Sequence, residues 1–240
     1  MKKTNISAYT KDFFIEVVWF WSSVGFILTY ILTGVKTTTG FGINRKFLHV
    51  VSCLCLIATY ASCIFFKSSA INIQKLLKDG NFRCLLVACS LLGVSGMLIP
   101  MLPFLLMSSL SVANYIIKNK GKFDKTAAMQ TSLNLIAQRD QIMLVALKIE
   151  VLSLPLLFLH LILGTADLFV IVSYASMVWF EYTTNPCMKK AAHEIVGSMD
   201  KIAASPSIPH AARQRYYQAK KYIASRLPIP VEHTKTASSQ

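Results

Sequence analysis

Charge is scarce in this chain of 240 residues: Asp, Glu, Lys and Arg together make 15%, and only 11 residues are acidic against 25 basic. A soluble domain of this size carries about a quarter charged residues. With 54% hydrophobic residues and a mean hydropathy of +0.49, the chain is too apolar to be one. An integral membrane protein is expected. Chemistry-bearing motifs are also lacking. There is no nucleophile elbow, no Glu-x-x-His or His-rich metal pattern, no Gly-rich phosphate loop and no carboxylate pair. No enzymatic activity, cofactor or metal is therefore expected. His49, His160, His193, His210 and His233 are scattered, and His160, alone in an apolar run, is read as bonded to neighbouring backbone. Nothing resembles a nucleic-acid-binding motif, so the net charge of +14 is assigned to orientation and lipid contact. The six cysteines include no Cys-x-x-Cys pair, and five lie in or at the edge of apolar runs, where a thiol behaves as a small hydrophobe.

What is present is a series of long apolar runs with basic residues between them. Phe13 to Gly34 has 22 residues, enough to cross a hydrocarbon core of about 30 Å, with Trp19, Phe20 and Trp21 suited to the headgroup boundary. It lacks a small-residue cleavage pattern and is read as an anchor rather than a removed signal peptide. Residues 1–12 form a polar tail placed in the cytosol, which leaves the Asn5-Ile6-Ser7 sequon unused. After a loop with Lys36, Arg45 and Lys46, a second span is expected from Phe47 to Phe66. Lys67 to Arg83 is a basic connector, and such connectors stay cytosolic.

Cys84 to Ile117 is apolar for 34 residues but interrupted by Gly93, Gly96, Pro100 and Pro103. As one helix it would reach about 51 Å; as a hairpin bent at the interruption, each arm has about 16 residues and reaches about 24 Å. A hairpin that dips in without fully crossing is expected. Lys118 to Arg139 is again basic and cytosolic. Ile142 to Tyr182 is split by Gly164-Thr165-Ala166-Asp167, a turn in which Gly ends one helix and Thr or Asp caps the next. Lys148 and Glu150 lie in its first arm, where a charge deep in hydrocarbon costs at least about 2.5 kcal/mol. Two residues apart, they stand about 200° round a helix and cannot pair with each other. Either they mark a solute or proton path, or Lys148 snorkels and Glu150 sits at headgroup depth. The second reading is the simpler.

Past this membrane domain, residues 13–182, the chain turns polar. Residues 183–230 read as two cytosolic amphipathic helices separated by Pro206 and Pro209, and 231–240 as a disordered C-terminus. On the first helix Met188, Ala191, Ala192, Ile195, Met199 and Ile202 form a stripe. On the second, Ala212, Tyr216, Ala219, Ile223 and Leu227 line one side, flanked by Arg213, Arg215, Lys220, Lys221 and Arg226. Such stripes serve a packed helical cap as well as they serve an anionic lipid surface. Lipid contact is favoured for the second helix, whose span from Pro209 to Leu227 holds no acidic residue; the first, with Glu194 and Asp200, is expected to pack on the protein. The candidate lipid-binding residues are thus Arg213, Arg215, Tyr216, Lys220, Lys221, Ile223, Arg226 and Leu227.

The order of several short patterns resembles the transmembrane protein 33 family. Leu76-Leu77-Lys78-Asp79 precedes the long apolar run, Pro103 interrupts it and Ala113-Asn114-Tyr115 closes it. Glu150 to Pro155 follows, then Tyr182, Asn185-Pro186, Glu194, Pro206, Pro209, Arg213 and Ser225-Arg226-Leu227 before Pro228. The likeness covers about Ile71 to Pro230. One departure is that Thr183-Thr184 precede the Asn-Pro where the family carries basic residues, so no contact is carried over there. The resemblance implies an endoplasmic-reticulum and nuclear-envelope protein that associates with reticulon-type curvature proteins and bears on tubule shape and nuclear pore formation. It brings no catalytic residue. The expected architecture is all-α and polytopic, with transmembrane helices, shallow helical hairpins and both termini cytosolic. Shaping or sensing curvature is the expected function; the alternatives are a scaffold recruiting a protein partner through the tail, and a small-solute transporter using Glu150.

Overall fold

The computed structural model describes residues 6–40, 44–67, 73–94, 97–123 and 126–226. Among them there is no strand. Two compact units emerge, Met1–Ala192 and His193–Gln240.

The first unit is a helical bundle. Helix α1 (Ile6–Thr39) and α2 (Arg45–Lys67) form an antiparallel pair joined through 40–44, and α1 begins inside the stretch expected as a polar tail. A short α3 (Ile73–Leu77) leads into α4 (Gly80–Leu91), and α5 (Leu98–Lys118) follows. Next come α6 (Lys120–Phe123) and α7 (Ala127–Ala137), then α8 (Arg139–Ile162), α9 (Leu168–Thr184) and α10 (Pro186–Ala204), whose second half belongs to the other unit. Four stretches are long and apolar enough to cross a bilayer: Phe13–Thr39, Arg45–Phe65, Leu98–Lys118 and Arg139–Ile162. Helix α9, with 17 residues, sits at the lower limit for a crossing. Their outward faces carry Leu28, Ile31, Phe158, Ile162 and Phe169, an exposed apolar surface suited to lipid rather than water. Inside, Phe26, Leu56, Met101, Leu157 and Tyr174 are fully buried in one core.

Polar groups in these helices are spent locally, as a medium without water requires. In α1 the hydroxyls of Ser23, Thr29, Thr33 and Thr37 each donate to the carbonyl four residues back. Small side chains then let α1 and α2 approach closely. Ser52 donates to Thr29 at 2.8 Å, and a Cβ built on Gly25 would stand 3.1 Å from Cys55 Sγ. At the end of α1, Gly40 adopts φ of +74°, the left-handed conformation that closes a helix, and its N–H reaches the Lys36 carbonyl at 3.0 Å.

The interrupted run from Cys84 breaks at the start of the expected Gly/Pro region, α4 ending at Leu91 and α5 beginning at Leu98, so the helices are unequal, 12 and 21 residues. Helix α4 reaches about 18 Å and cannot cross; α5 reaches about 32 Å and can. The expectation of two shallow arms is corrected to one short arm beside one full-length span. The prolines do not make the break, because Pro100 lies in the first turn of α5, where a backbone N–H has no helical partner to lose. Pro103 is further in and does remove one bond. Tyrosines from two other helices fix this stretch: Tyr30 donates to the Leu98 carbonyl at 3.0 Å, and Tyr174 to that of Pro100 at 3.4 Å. His49 Nε2 on α2 lies 3.0 Å from the Leu91 carbonyl at the end of α4.

Arg83, assigned from sequence to a polar connector, belongs to α4. Its guanidinium lies 4.4 Å from the centre of the Phe180 ring and donates to the carbonyls of Ser176 at 3.2 Å and Leu77 at 3.0 Å. It ties α4 to α9. The turn between α8 and α9 has Gly164 at φ +68°, and the Thr165 N–H returns to the His160 carbonyl at 2.9 Å. Thr165 Oγ1 also stands 2.8 Å from His160 Nδ1. Asp167 occupies the capping position of α9 without a side-chain bond to it. Asn185 ends α9 and starts α10: its Oδ1 accepts from the Cys187 N–H at 3.0 Å, with Pro186 as first helical residue.

Candidate functional site

The second unit holds the residues that sequence singles out for lipid contact. Helix α11 (His210–Arg226) follows a turn through Pro206 and Pro209 and folds back on the C-terminal half of α10. Three of the candidate residues hold this hairpin. The hydroxyl of Tyr216 donates to Asp200 Oδ1 at 2.8 Å, and Lys220 Nζ lies 2.6 Å from Asp200 Oδ2. Arg213 Nη2 donates to the Ser205 carbonyl at 3.0 Å, closing the proline turn. Positions 213, 216 and 220 share one face by their spacing of three and four. Ion-pairing with Lys220, then Tyr216's hydrogen bond, holds the Asp200 carboxyl below the usual carboxylate range. Loss of solvent, then the bond to Asp200, pushes the Tyr216 hydroxyl up to about 12.

Arg215 and Lys221 point outward and are exposed. The side chains of Ile223 and Arg226, and Leu227 altogether, lie outside the described residues, as do 231–240. Among the described residues, the contacts that α11 makes to α10 and its turn through Arg213, Tyr216 and Lys220 are polar. Ala212 and Ala219, grouped with Tyr216 on one side by their spacing, are exposed, whereas Tyr216 is half-buried.

The exposed large aliphatic side chains described in this unit lie on α10. Ile202 is 62% exposed, Met199 46% and Val196 40%, at spacings of three that align them on one stripe. Earlier in the same helix Met188 and Ala191 are fully buried in the core of the first unit. The expectation that this helix packs on the protein holds for its first half only. The sequence stripe ran through Met188 and Ile202 without a mark of where burial ends.

In the first unit Glu150 is 7% exposed, inside the bundle rather than at the surface, and its Oε1 has no hydrogen-bond partner. The sequence reading of a carboxylate at headgroup depth gave no sign of this burial between helices. Its neighbours come from other helices and were beyond the reach of sequence spacing.

Neither a search of curated proteins nor one of solved structures finds a match. The profile of the family described as Transmembrane protein 33/Nucleoporin POM33 matches residues 2–229, nearly the whole chain. With four helices of spanning length and an all-helical fold, the chain belongs to this family of membrane proteins.

Proposed function

We propose that this is a multi-pass protein of the endoplasmic reticulum and nuclear envelope that shapes or senses membrane curvature, with both termini cytosolic. It acts there with reticulon-type and nuclear pore proteins, without catalysis. The observation that carries this reading is that the second unit exposes both an apolar stripe, Val196, Met199 and Ile202, and the cations Arg215 and Lys221. An apolar stripe enters the gaps between headgroups, which are wider on a curved leaflet, and cations add attraction to anionic lipid. The short α4, unable to cross, adds area to one leaflet in the same sense.

A second reading, a scaffold that recruits a protein partner, draws on Tyr217 and Tyr222, exposed by 44% and 64%, since tyrosine and arginine are enriched at protein interfaces. The test is reconstitution of the full chain in vesicles of graded diameter and lipid charge. Reversing Arg215 and Lys221 abolishes the preference for anionic vesicles if lipid is the target and leaves it intact if a protein is. Lys220 is unsuited to this test because it holds the hairpin.

A further inference from the structure

Between the helices of the first unit lies a cavity of about 380 Å³, within the size range of small-ligand sites. Its wall includes Asp79 at the start of α4, Glu150 on α8 and Glu181 on α9, and among the described residues no Lys, Arg or His. Asp79 accepts from the Asn81 backbone at 2.8 Å, and Glu181 Oε2 from Asn185 Nδ2 at 3.1 Å. Glu150 is different: more than nine-tenths buried, it lines the cavity, and its Oε1 has no hydrogen-bond partner among the described residues. A buried carboxylate oxygen in a membrane protein carries a large desolvation cost unless something pairs with it, and such groups mark binding sites.

The remaining wall narrows the chemistry. Trp19, Tyr60 and Phe104 line the same cavity, the last two edge to face with ring centres 6.1 Å apart. Aromatic faces beside carboxylates select organic ammonium ions, whose charge is spread over methyl or methylene groups. A bare metal ion is a poor match, because among the described residues no three of His, Cys, Asp and Glu come together to enclose one. An adjoining hollow of about 490 Å³ shares Trp19, Cys63, Asn81 and Ser111 with the cavity and extends to Lys118, the last residue of α5. That lysine offers a charge to a phosphodiester attached to the ammonium.

We propose that this cavity binds an alkylammonium group through Glu150 and the aromatic wall of Trp19, Tyr60 and Phe104. The group is carried either by an ethanolamine or choline phospholipid or by a free amine, and both share the chemistry the wall recognises.

The test uses the purified full chain in detergent, incubated with lysophosphatidylethanolamine, lysophosphatidylcholine or lysophosphatidylglycerol, with bound lipid read by native mass spectrometry and fold by thermal unfolding. The wild type retains the two amine lipids about tenfold better than the glycerol lipid, and Glu150→Gln loses about that factor. Glu150→Gln without lipid unfolds no earlier than wild type, since the amide keeps the shape of the buried side chain and adds no charge, so affinity and stability move apart. If Glu150→Gln does not fold, Trp19→Leu, which removes part of the aromatic wall, carries the same comparison. Competition by choline chloride assigns the site to a free amine; binding of the lysolipids without such competition assigns it to the lipid. Equal retention of lysophosphatidylglycerol, no retention of any of these, or unchanged retention in both folded variants overturns the proposal.

Discussion

Lys220 Nζ lies 2.6 Å from Oδ2 of Asp200, 20 residues earlier, and with Tyr216 on the other oxygen it fastens α11 along α10. The partly exposed pair, 40% and 35% by side chain, makes a contact that solvent and salt can reach.

Its pH dependence has a definite sign. The Asp200 carboxyl is held below the ordinary carboxylate range in the folded hairpin, so its contribution is complete above that range and is lost as pH falls through its lowered value. Amides of α11 then exchange with solvent faster at about pH 3 than at neutral pH, after correction for intrinsic rates. Asp200→Asn reproduces the acid behaviour at neutral pH. On the alkaline side, the Tyr216 bond survives until its hydroxyl ionises, at about 12. Exchange in α11 that is the same at both pH values and in Asp200→Asn contradicts this account of the hairpin.

The α1–α2 contact depends on the absence of a side chain at residue 25. A Cβ there meets Cys55 Sγ at 3.1 Å, an atom that a small shift can move, so Gly25→Ala is tolerated. Gly25→Val adds two methyl groups that cannot be placed without separating the helices, at about 1–3 kcal/mol. Thermal unfolding in detergent measures the loss. Combining Gly25→Val with Cys55→Ala recovers part of it, a coupling that independent sites do not show.

Arg83→Lys keeps the charge of α4 but not the fork that spans the Ser176 and Leu77 carbonyls while covering Phe180. The expected cost is about 1–3 kcal/mol, seen as a lower unfolding temperature and faster amide exchange around Ser176 in α9. A variant that unfolds with wild-type parameters refutes the clamp.

The long spans were legible because apolar length leaves little choice, and Asn185-Pro186 because a capping Asn and a first-turn Pro act within a few residues. The break after Cys84 was legible in its glycines, but the arm lengths were not, because Pro100 reads as an interruption in sequence yet lies in the first turn of a helix without loss. Arg83, His49 and Glu150 owe their roles to groups on other helices, 93 residues away for the Arg83 bond to Ser176 and 42 for the His49 contact to Leu91. In the tail, the wheel grouped Tyr216 with Ala212 and Ala219, but Asp200 draws Tyr216 and Lys220 inward and leaves both alanines exposed.

Curvature sensing by the exposed stripe of α10 is the central claim. Deleting the tail from Asn185 would remove Met188 and Ala191 from the core of the first unit, so point charges make the cleaner test. Fluorescently labelled full-length wild type and Met199→Glu/Ile202→Glu, reconstituted into vesicles of mixed diameter, are scored for protein density on each single vesicle. Wild type at higher density on smaller vesicles, with the variant evenly spread, is the predicted result. Even spread of both, or the same enrichment in both, contradicts it.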